Sequence, residues 1–183
     1  IAGQILDVSV QARGRADVDT AMTVLRYKSA KYSIERPLHV GAALAGAGPG
    51  ELAALSAFGL PLGEAFQLRD DLLGVFGDPA TTGKPAGDDL VEGKRTVLVA
   101  LALDGSAPAD AALLDRSLGT PLAPPEVERL RGVIETSGAH EQVEQVIAEL
   151  AGIAVEALDR ADIDPHAREV LRGLAAAVTQ RVV

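Results

Sequence analysis

Apolar residues recur at intervals of three and four along most of the chain, and seldom at every second position. This spacing collects apolar side chains on one face of an α-helix, whereas strands need alternation. The pattern therefore predicts an all-α fold. The first predicted helix runs from the start of the chain to about residue 11. The others cover about 18–28, 29–45, 49–76, 96–103, 107–117, 125–137, 140–161 and 165–181.

Glycine and proline predict where several helices begin and end. The segment GAGPGE ends one helix at Gly46 and places Pro49 in the first turn of the next. Asp164 precedes Pro165 and is expected to cap the last helix. Pro61 lies inside the long predicted helix, so we expect a kink or a split near residues 58–59.

Residues 77–96 interrupt the helical pattern with GDPATTGKPAGDDLVEGKRT. Long loops inside compact domains are often lids or binding segments. Glycines and like-charged lysines offer little to pack against, so we expect a loop that is mobile until an anion binds.

Composition limits the classes of function. The 183 residues are 48% hydrophobic and 23% charged, which suits a single all-helical domain with a buried core. A net charge of -9 argues against nucleic acid as a partner, and no apolar run is long enough to predict a membrane span. The absence of cysteine excludes thiolate zinc and cysteine nucleophiles and favours the cytoplasm. Because the chain opens inside a helix, residues 1–183 are expected to be the C-terminal part of a longer polypeptide.

Two adjacent carboxylates stand out inside an apolar helix. In AFQLRDDLLGVFGD, Gln67, Asp70, Asp71 and Gly74 share one stripe of the helix. Paired carboxylates repel each other, and Mg²⁺ relieves this repulsion with oxygen ligands, usually completing its shell with a substrate phosphate. The stripe is consistent with a solvated surface or with a metal–diphosphate site.

Lysines near the stripe shift the balance toward a metal–diphosphate site and leave a solvated surface as the alternative. Lys84 and Lys94 lie in the loop that directly follows it, among glycines that allow close backbone approach. A second pair, Lys28 and Lys31, flanks Ser29 at a predicted helix junction. Anion-binding lysines beside cation-binding carboxylates favour a diphosphate ligand.

These residues resemble a known family in four ordered motifs. G-x-x-F-Q-x-x-D-D at residues 63–71, followed by G-D-P, T-G-K-P and D-L-x-x-G-K-x-T within residues 77–96, resembles the second aspartate-rich region of the trans-isoprenyl diphosphate synthases, the polyprenyl synthetase family. AGQILDV at residues 2–8 and YKSAKYSIERPL at residues 27–38 resemble two further motifs of that family, in the same order. The tail after residue 103 has no signature of its own.

The resemblance implies a helical bundle of the isoprenoid-synthase type around a central cavity, usually in a homodimer. It implies a geranylgeranyl or farnesyl type of Mg²⁺-dependent prenyltransferase, which condenses isopentenyl diphosphate with an allylic diphosphate. It assigns the metal to Asp70 and Asp71, and the diphosphate to three lysines, Lys28, Lys84 and Lys94. The cavity lining that it implies comprises Gln67, Phe66, Ser29, Gln4 and Asp7.

Two departures from the family pattern keep alternatives open. Gly74 stands where the second motif commonly has a third aspartate, and the first aspartate-rich motif does not occur in the sequence. The chain alone is therefore expected to be inactive. A non-catalytic partner subunit of such a synthase is one alternative. A terpene cyclase is another, although three Phe, two Tyr and no Trp are few aromatic side chains to guide a cation.

Overall fold

The computed structural model describes residues 2–14, 17–83, 85 and 87–179, and within these ranges it contains helices and turns without a strand. One element is a π-helix, Arg26–Glu35, which directly follows α2 and directly precedes α3. The α-helices are α1 (Ala2–Arg13), α2 (Val18–Leu25), α3 (Arg36–Leu44), α4 (Pro49–Phe76), α5 (Pro79–Thr82), α6 (Asp88–Val91), α7 (Val97–Gly105), α8 (Pro108–Ser117), α9 (Pro124–Thr136), α10 (Ala139–Arg160) and α11 (Pro165–Thr179). The expectation of an all-α fold is confirmed.

The long helix α4 is the central element of the fold. It runs unbroken from Pro49 to Phe76 with Pro61 inside it, so the predicted split near residues 58–59 is wrong. Phe58 and Leu62 flank the proline and are both fully buried, so tertiary packing holds the helix together across the missing backbone donor.

Close packing surrounds the π-helix. A Cβ on Gly63 of α4 would lie 2.5 Å from the Cα of Ala30, and a Cβ on Gly3 of α1 would overlap the backbone of Lys28. Only glycine allows helix backbones to approach so closely. The predicted boundary between residues 28 and 29 is wrong, because the backbone stays helical from α2 through the π-helix into α3.

Two apolar clusters pack against successive stretches of α4. The larger includes the fully buried Leu68 and Leu72 of α4, and the smaller joins α4 to α10 and α11 through Leu62, Leu158 and Ala175. Each buried leucine contributes roughly 1.5–3 kcal/mol, so burial along this face of α4 stabilises the helix in the fold. None of the described helices is long and apolar enough to cross a membrane.

Residues 77–96 differ from the uniformly non-helical loop expected. Two single-turn helices, α5 and α6, lie in this stretch, and Leu90 in α6 is fully buried in the larger apolar cluster. The second half of the stretch is therefore attached to the core. Asp164 accepts hydrogen bonds from the backbone N–H groups of His166 and Ala167, which confirms the predicted cap of α11.

Candidate functional site

A cavity of about 150 Å³ opens where α1, α2, the π-helix and α4 meet the start of α7. One wall is apolar and is formed by Ala21, Val24, Leu25 and Val97. The remaining lining residues carry polar side chains: Asp7, Lys28, Ser29, Gln67, Asp70, Asp71, Lys94, Arg95 and Thr96. Seven of these nine are residues to which the resemblance assigns a role.

The carboxylates of the acidic stripe share one amide. Gln67 Nε2 donates to Asp71 Oδ1 at 2.8 Å and lies 3.3 Å from Asp70 Oδ2, while Gln67 Oε1 accepts from Ser29 Oγ at 2.5 Å. Asp71 is 7% exposed and Asp70 is half-buried. The stripe predicted from helical spacing thus faces the cavity and not bulk solvent.

The electrostatics of Asp71 follow from its depth. Burial raises the pKa of Asp71 to about 8 against the opposing hydrogen bond from Gln67, and the carboxylates of Asp89 and Asp70 add to the rise. Without a cation, Asp71 therefore keeps its proton near neutral pH.

Lys28 and Asp7 form one edge of the cavity. The π-helix holds Lys28 so that its Nζ lies 2.6 Å from Asp7 Oδ2 on α1. Both side chains are partly exposed, so the ammonium remains accessible from the cavity. These two residues lie 21 positions apart in sequence, and the structure brings their side chains together.

Lys94 also lines the cavity. Its Nζ lies 2.5 Å from Asp89 Oδ1 and 2.9 Å from Glu92 Oε2. Burial lowers the pKa of Lys94, but the hydrogen bonds to Asp89 and Glu92 outweigh burial and raise it above the usual value. The cation is therefore permanent at physiological pH.

Two residues that line the cavity, Arg95 and Thr96, were assigned no role from the sequence. Arg95 lines the cavity and forms an ion pair with Asp115. Its position between Lys94 and Thr96 of the motif is the sequence feature that could have identified it. Thr96 lines the cavity and caps α7 by accepting from the backbone N–H of Val99. Asp89 belongs to the same motif, and burial raises its pKa, against the hydrogen bond from Lys94.

Three residues to which the resemblance assigns a role are not among the described residues that line this cavity. Phe66 is half-buried and is absent from the wall of this cavity, because it is turned about 100° around α4 from Gln67. Gln4 lines a neighbouring open cleft together with Tyr27, Lys28 and Ser29. Lys84 lies outside the described residues.

The donor set suits a hard cation. Asp70 and Asp71 present oxygen atoms, and no lysine or arginine within the described ranges forms an ion pair with either. Those ranges contain no group of three or more His, Cys, Asp or Glu side chains with metal-binding geometry. One or two carboxylates are what Mg²⁺ commonly uses when phosphate and water complete its shell.

Comparison with known proteins places these features in a context. The sequence model of the family described as polyprenyl synthetase matches residues 1–136. A geranylfarnesyl diphosphate synthase of Aeropyrum pernix is 32% identical over 181 residues, which are 98% of this chain and 56% of that protein. A geranylgeranyl diphosphate synthase of Mycobacterium tuberculosis is 33% identical over 165 residues, 89% of this chain and 47% of that protein.

Among solved structures, a geranylgeranyl pyrophosphate synthase of Corynebacterium glutamicum, complexed with isoprenyl diphosphate and magnesium, has a TM-score of 0.95 and 46% identity. The match covers 99% of this chain and 52% of that one. The chain thus spans about half the length of the relatives it matches.

Proposed function

The chain belongs to the polyprenyl synthetase family, and we propose that its cavity forms one side of the active site of a Mg²⁺-dependent prenyltransferase. The reaction condenses isopentenyl diphosphate with an allylic diphosphate and yields a short-chain polyprenyl diphosphate of the geranylgeranyl or farnesyl type. The similarity to geranylgeranyl, farnesyl and geranylfarnesyl diphosphate synthases supports this substrate class.

One observation carries the proposal: carboxylates, ammonium groups and an apolar wall share a single cavity. Asp70 and Asp71 line the same cavity as Lys28 and Lys94. A ligand that is apolar at one end and a metal-bound diphosphate at the other needs this combination of side chains.

Asp70 is the proposed direct ligand of Mg²⁺, and Asp71 supports or shares that role. When bound, the metal ion stabilises the negative charge that develops on the departing diphosphate. Gln67 orients both carboxylates, since its amide nitrogen reaches one at 2.8 Å and the other at 3.3 Å. Ser29 in turn fixes the amide of Gln67 through its hydroxyl.

The lysines bind the allylic diphosphate. Lys28 and Lys94 both line the cavity, and each ammonium group is already held by a carboxylate. Such point charges suit phosphate oxygens. Lys84 is proposed for the same role on the resemblance alone.

The apolar wall protects the reacting carbon from water. Ala21, Val24, Leu25 and Val97 offer no nucleophile or proton acceptor to a carbocation. Exclusion of water prevents capture of a reactive intermediate and strengthens the electrostatic interactions inside the site.

The second side of the site comes, in this proposal, from a longer polypeptide of which residues 1–183 are the C-terminal part. An Asp-Asp-x-x-Asp segment does not occur in the sequence, and Mg²⁺ requires a near-ideal octahedral shell. We therefore expect facing acidic ligands from outside these residues. Homodimer assembly and a cytoplasmic location remain part of the proposal, and light scattering and cell fractionation test them.

The deciding experiment compares two proteins with radiolabelled isopentenyl diphosphate, Mg²⁺, and dimethylallyl, geranyl or farnesyl diphosphate. We expect product from the longer polypeptide that contains an upstream Asp-Asp-x-x-Asp helix, and none from residues 1–183 alone. Product from the 183-residue chain overturns the requirement for a facing acidic helix. No product from the longer protein overturns the prenyltransferase assignment and favours a non-catalytic partner subunit.

A further inference from the structure

The acidic stripe of α4 ends at a glycine that is covered by a carboxylate from elsewhere in the chain. Gly74 lies one turn beyond Asp70 and Asp71, and the carboxylate of Asp89 rests against it. A Cβ on residue 74 would lie 2.9 Å from Asp89 Oδ1 and still closer to Cγ and Oδ2. The two positions therefore exclude each other: a side chain at 74 and the present position of Asp89 cannot coexist.

The backbone holds Asp89 in this place. Leu90, the next residue, is fully buried, and its carbonyl accepts from the backbone N–H of Gly119 at 3.0 Å. Gly87 and Gly93, on either side of α6, have positive φ and closely approach Val127 and Gly119 respectively. The backbone of Asp89 cannot withdraw from α4 without disrupting these contacts.

Asp89 also determines where the cation of Lys94 lies. The carboxylate is 5% exposed and accepts from Lys94 Nζ at 2.5 Å, while the backbone N–H of Lys94 donates to the Asp89 carbonyl at 3.0 Å. Lys94 lines the same cavity as Asp70 and Asp71. Without Asp89, the ammonium group is held by Glu92 alone, whose side chain is 51% exposed, and Asp70 and Asp71 compete with Glu92 for it.

From these contacts we propose that Asp89, seated on Gly74, is a positioning residue of the site. Its carboxylate occupies the place on the acidic stripe that residue 74 leaves open. It also keeps the Lys94 ammonium away from Asp70 and Asp71, so that their oxygens stay available to a divalent cation and the ammonium stays available to a diphosphate. This assignment rests on the proposed function of the cavity.

The test measures Mn²⁺ binding by electron paramagnetic resonance with inorganic pyrophosphate present, in the full encoded polypeptide. We expect Asp89→Ala to weaken Mn²⁺ binding about tenfold or more, because Lys94 moves toward the acidic pair. Asp88→Ala, a change of the neighbouring half-buried carboxylate, is the matched control and should stay within about twofold. Circular dichroism and thermal melting confirm that each variant is folded.

A position swap distinguishes positioning from a general loss of structure. Gly74→Asp alone should lose Mn²⁺ binding and thermal stability, because the new side chain collides with Asp89. The double variant Gly74→Asp, Asp89→Gly relieves the collision and returns a carboxylate to the stripe, so it should recover most of the binding. Recovery supports the proposal, and a loss equal to the product of the two single losses overturns it.

The remaining outcomes separate this inference from the proposed function. If the unsubstituted protein binds Mn²⁺ and pyrophosphate, and Asp89→Ala binds them equally well, the positioning role is wrong and the proposed function stands. If the unsubstituted protein binds neither, the proposed function fails, and this inference fails with it.

Discussion

Gln67 Nε2 lies 2.8 Å from Asp71 Oδ1 and donates a hydrogen bond to it. Asp71 is only 7% exposed. The same amide contacts Asp70, and its oxygen is held by Ser29 from the π-helix. One side chain therefore connects the acidic helix to the helix that carries Lys28. Substitution of either carboxylate that this amide contacts should therefore affect the site.

Asp70→Asn should reduce turnover of the full encoded polypeptide by about 100-fold or more, because it removes the charge of the proposed metal ligand and keeps the shape of the side chain. Asp71→Asn should act in the same direction but less strongly. Steady-state kinetics with saturating Mg²⁺ give the measurement, and circular dichroism checks helicity. The control is Asp110→Asn, an exposed carboxylate in α8. Near-normal turnover of Asp70→Asn contradicts the assignment.

Asp71 should make stability depend on pH. Its pKa is about 8 in the folded protein and about 3.9 in the unfolded chain. Between these values the folded state holds a proton that the unfolded state has released, so this stabilisation is complete below pH 4 and is lost as the pH rises to about 8.

The Asp71→Asn variant has no ionisable group at this position, so its stability should fall less steeply as the pH rises. At pH 8 without divalent metal, the variant should be more stable by on the order of 1 kcal/mol, or about 2–4 °C in Tm. Thermal melts from pH 5 to 8 provide the measurement, with Asp110→Asn as the exposed control. Parallel curves for Asp71→Asn and the unsubstituted protein are the contrary result.

Gly63→Ala should separate α4 from the π-helix. The added methyl would lie 2.5 Å from the Cα of Ala30, so the backbone of one of the two helices must move. We expect this to lower the free energy of unfolding by about 1–3 kcal/mol. Gly132→Ala in α9 meets no atom within 4 Å and should instead stabilise by about 0.5–1 kcal/mol. Urea unfolding measures both. Equal effects from the two substitutions would argue against the tight helix contact.

Glu144→Gln should destabilise the packing of α10 on α4. Arg69 is 8% exposed, and its guanidinium forms a two-bond pair with Glu144 at 2.5 and 2.7 Å. The substitution removes the charge that neutralises this buried cation. Because the Glu144 side chain is itself 36% exposed, we expect the free energy of unfolding to fall by about 1–2 kcal/mol.

The matched control for Glu144→Gln is Glu156→Gln, whose pair with Arg160 is largely exposed on both sides. Exposed ion pairs contribute little, so the control should change the free energy of unfolding by less than about 0.5 kcal/mol. Denaturant unfolding followed by far-UV circular dichroism measures both variants. The prediction fails if the two glutamate substitutions cost the same.

The sequence by itself determined the helical class and the acidic stripe, because both depend on local periodicity. Helical spacing alone places Gln67 one turn before the aspartate pair, and glycine, proline and aspartate mark helix ends by local backbone chemistry. The start and end of α4 at Pro49 and Phe76 follow from such signals. Only the resemblance connected this stripe to the two upstream motifs, since no local pattern relates Asp7 to Lys28.

Only the tertiary structure decided which residues meet across helices. Pro61 was expected to kink or split α4, and with Phe58 and Leu62 buried the helix is continuous. The contact of Asp89 with Gly74 joins residues fifteen positions apart through a turn whose course depends on the burial of Leu90. Contacts of this kind depend on the packing of the whole chain, and steric exclusion between distant residues has no signature in local periodicity.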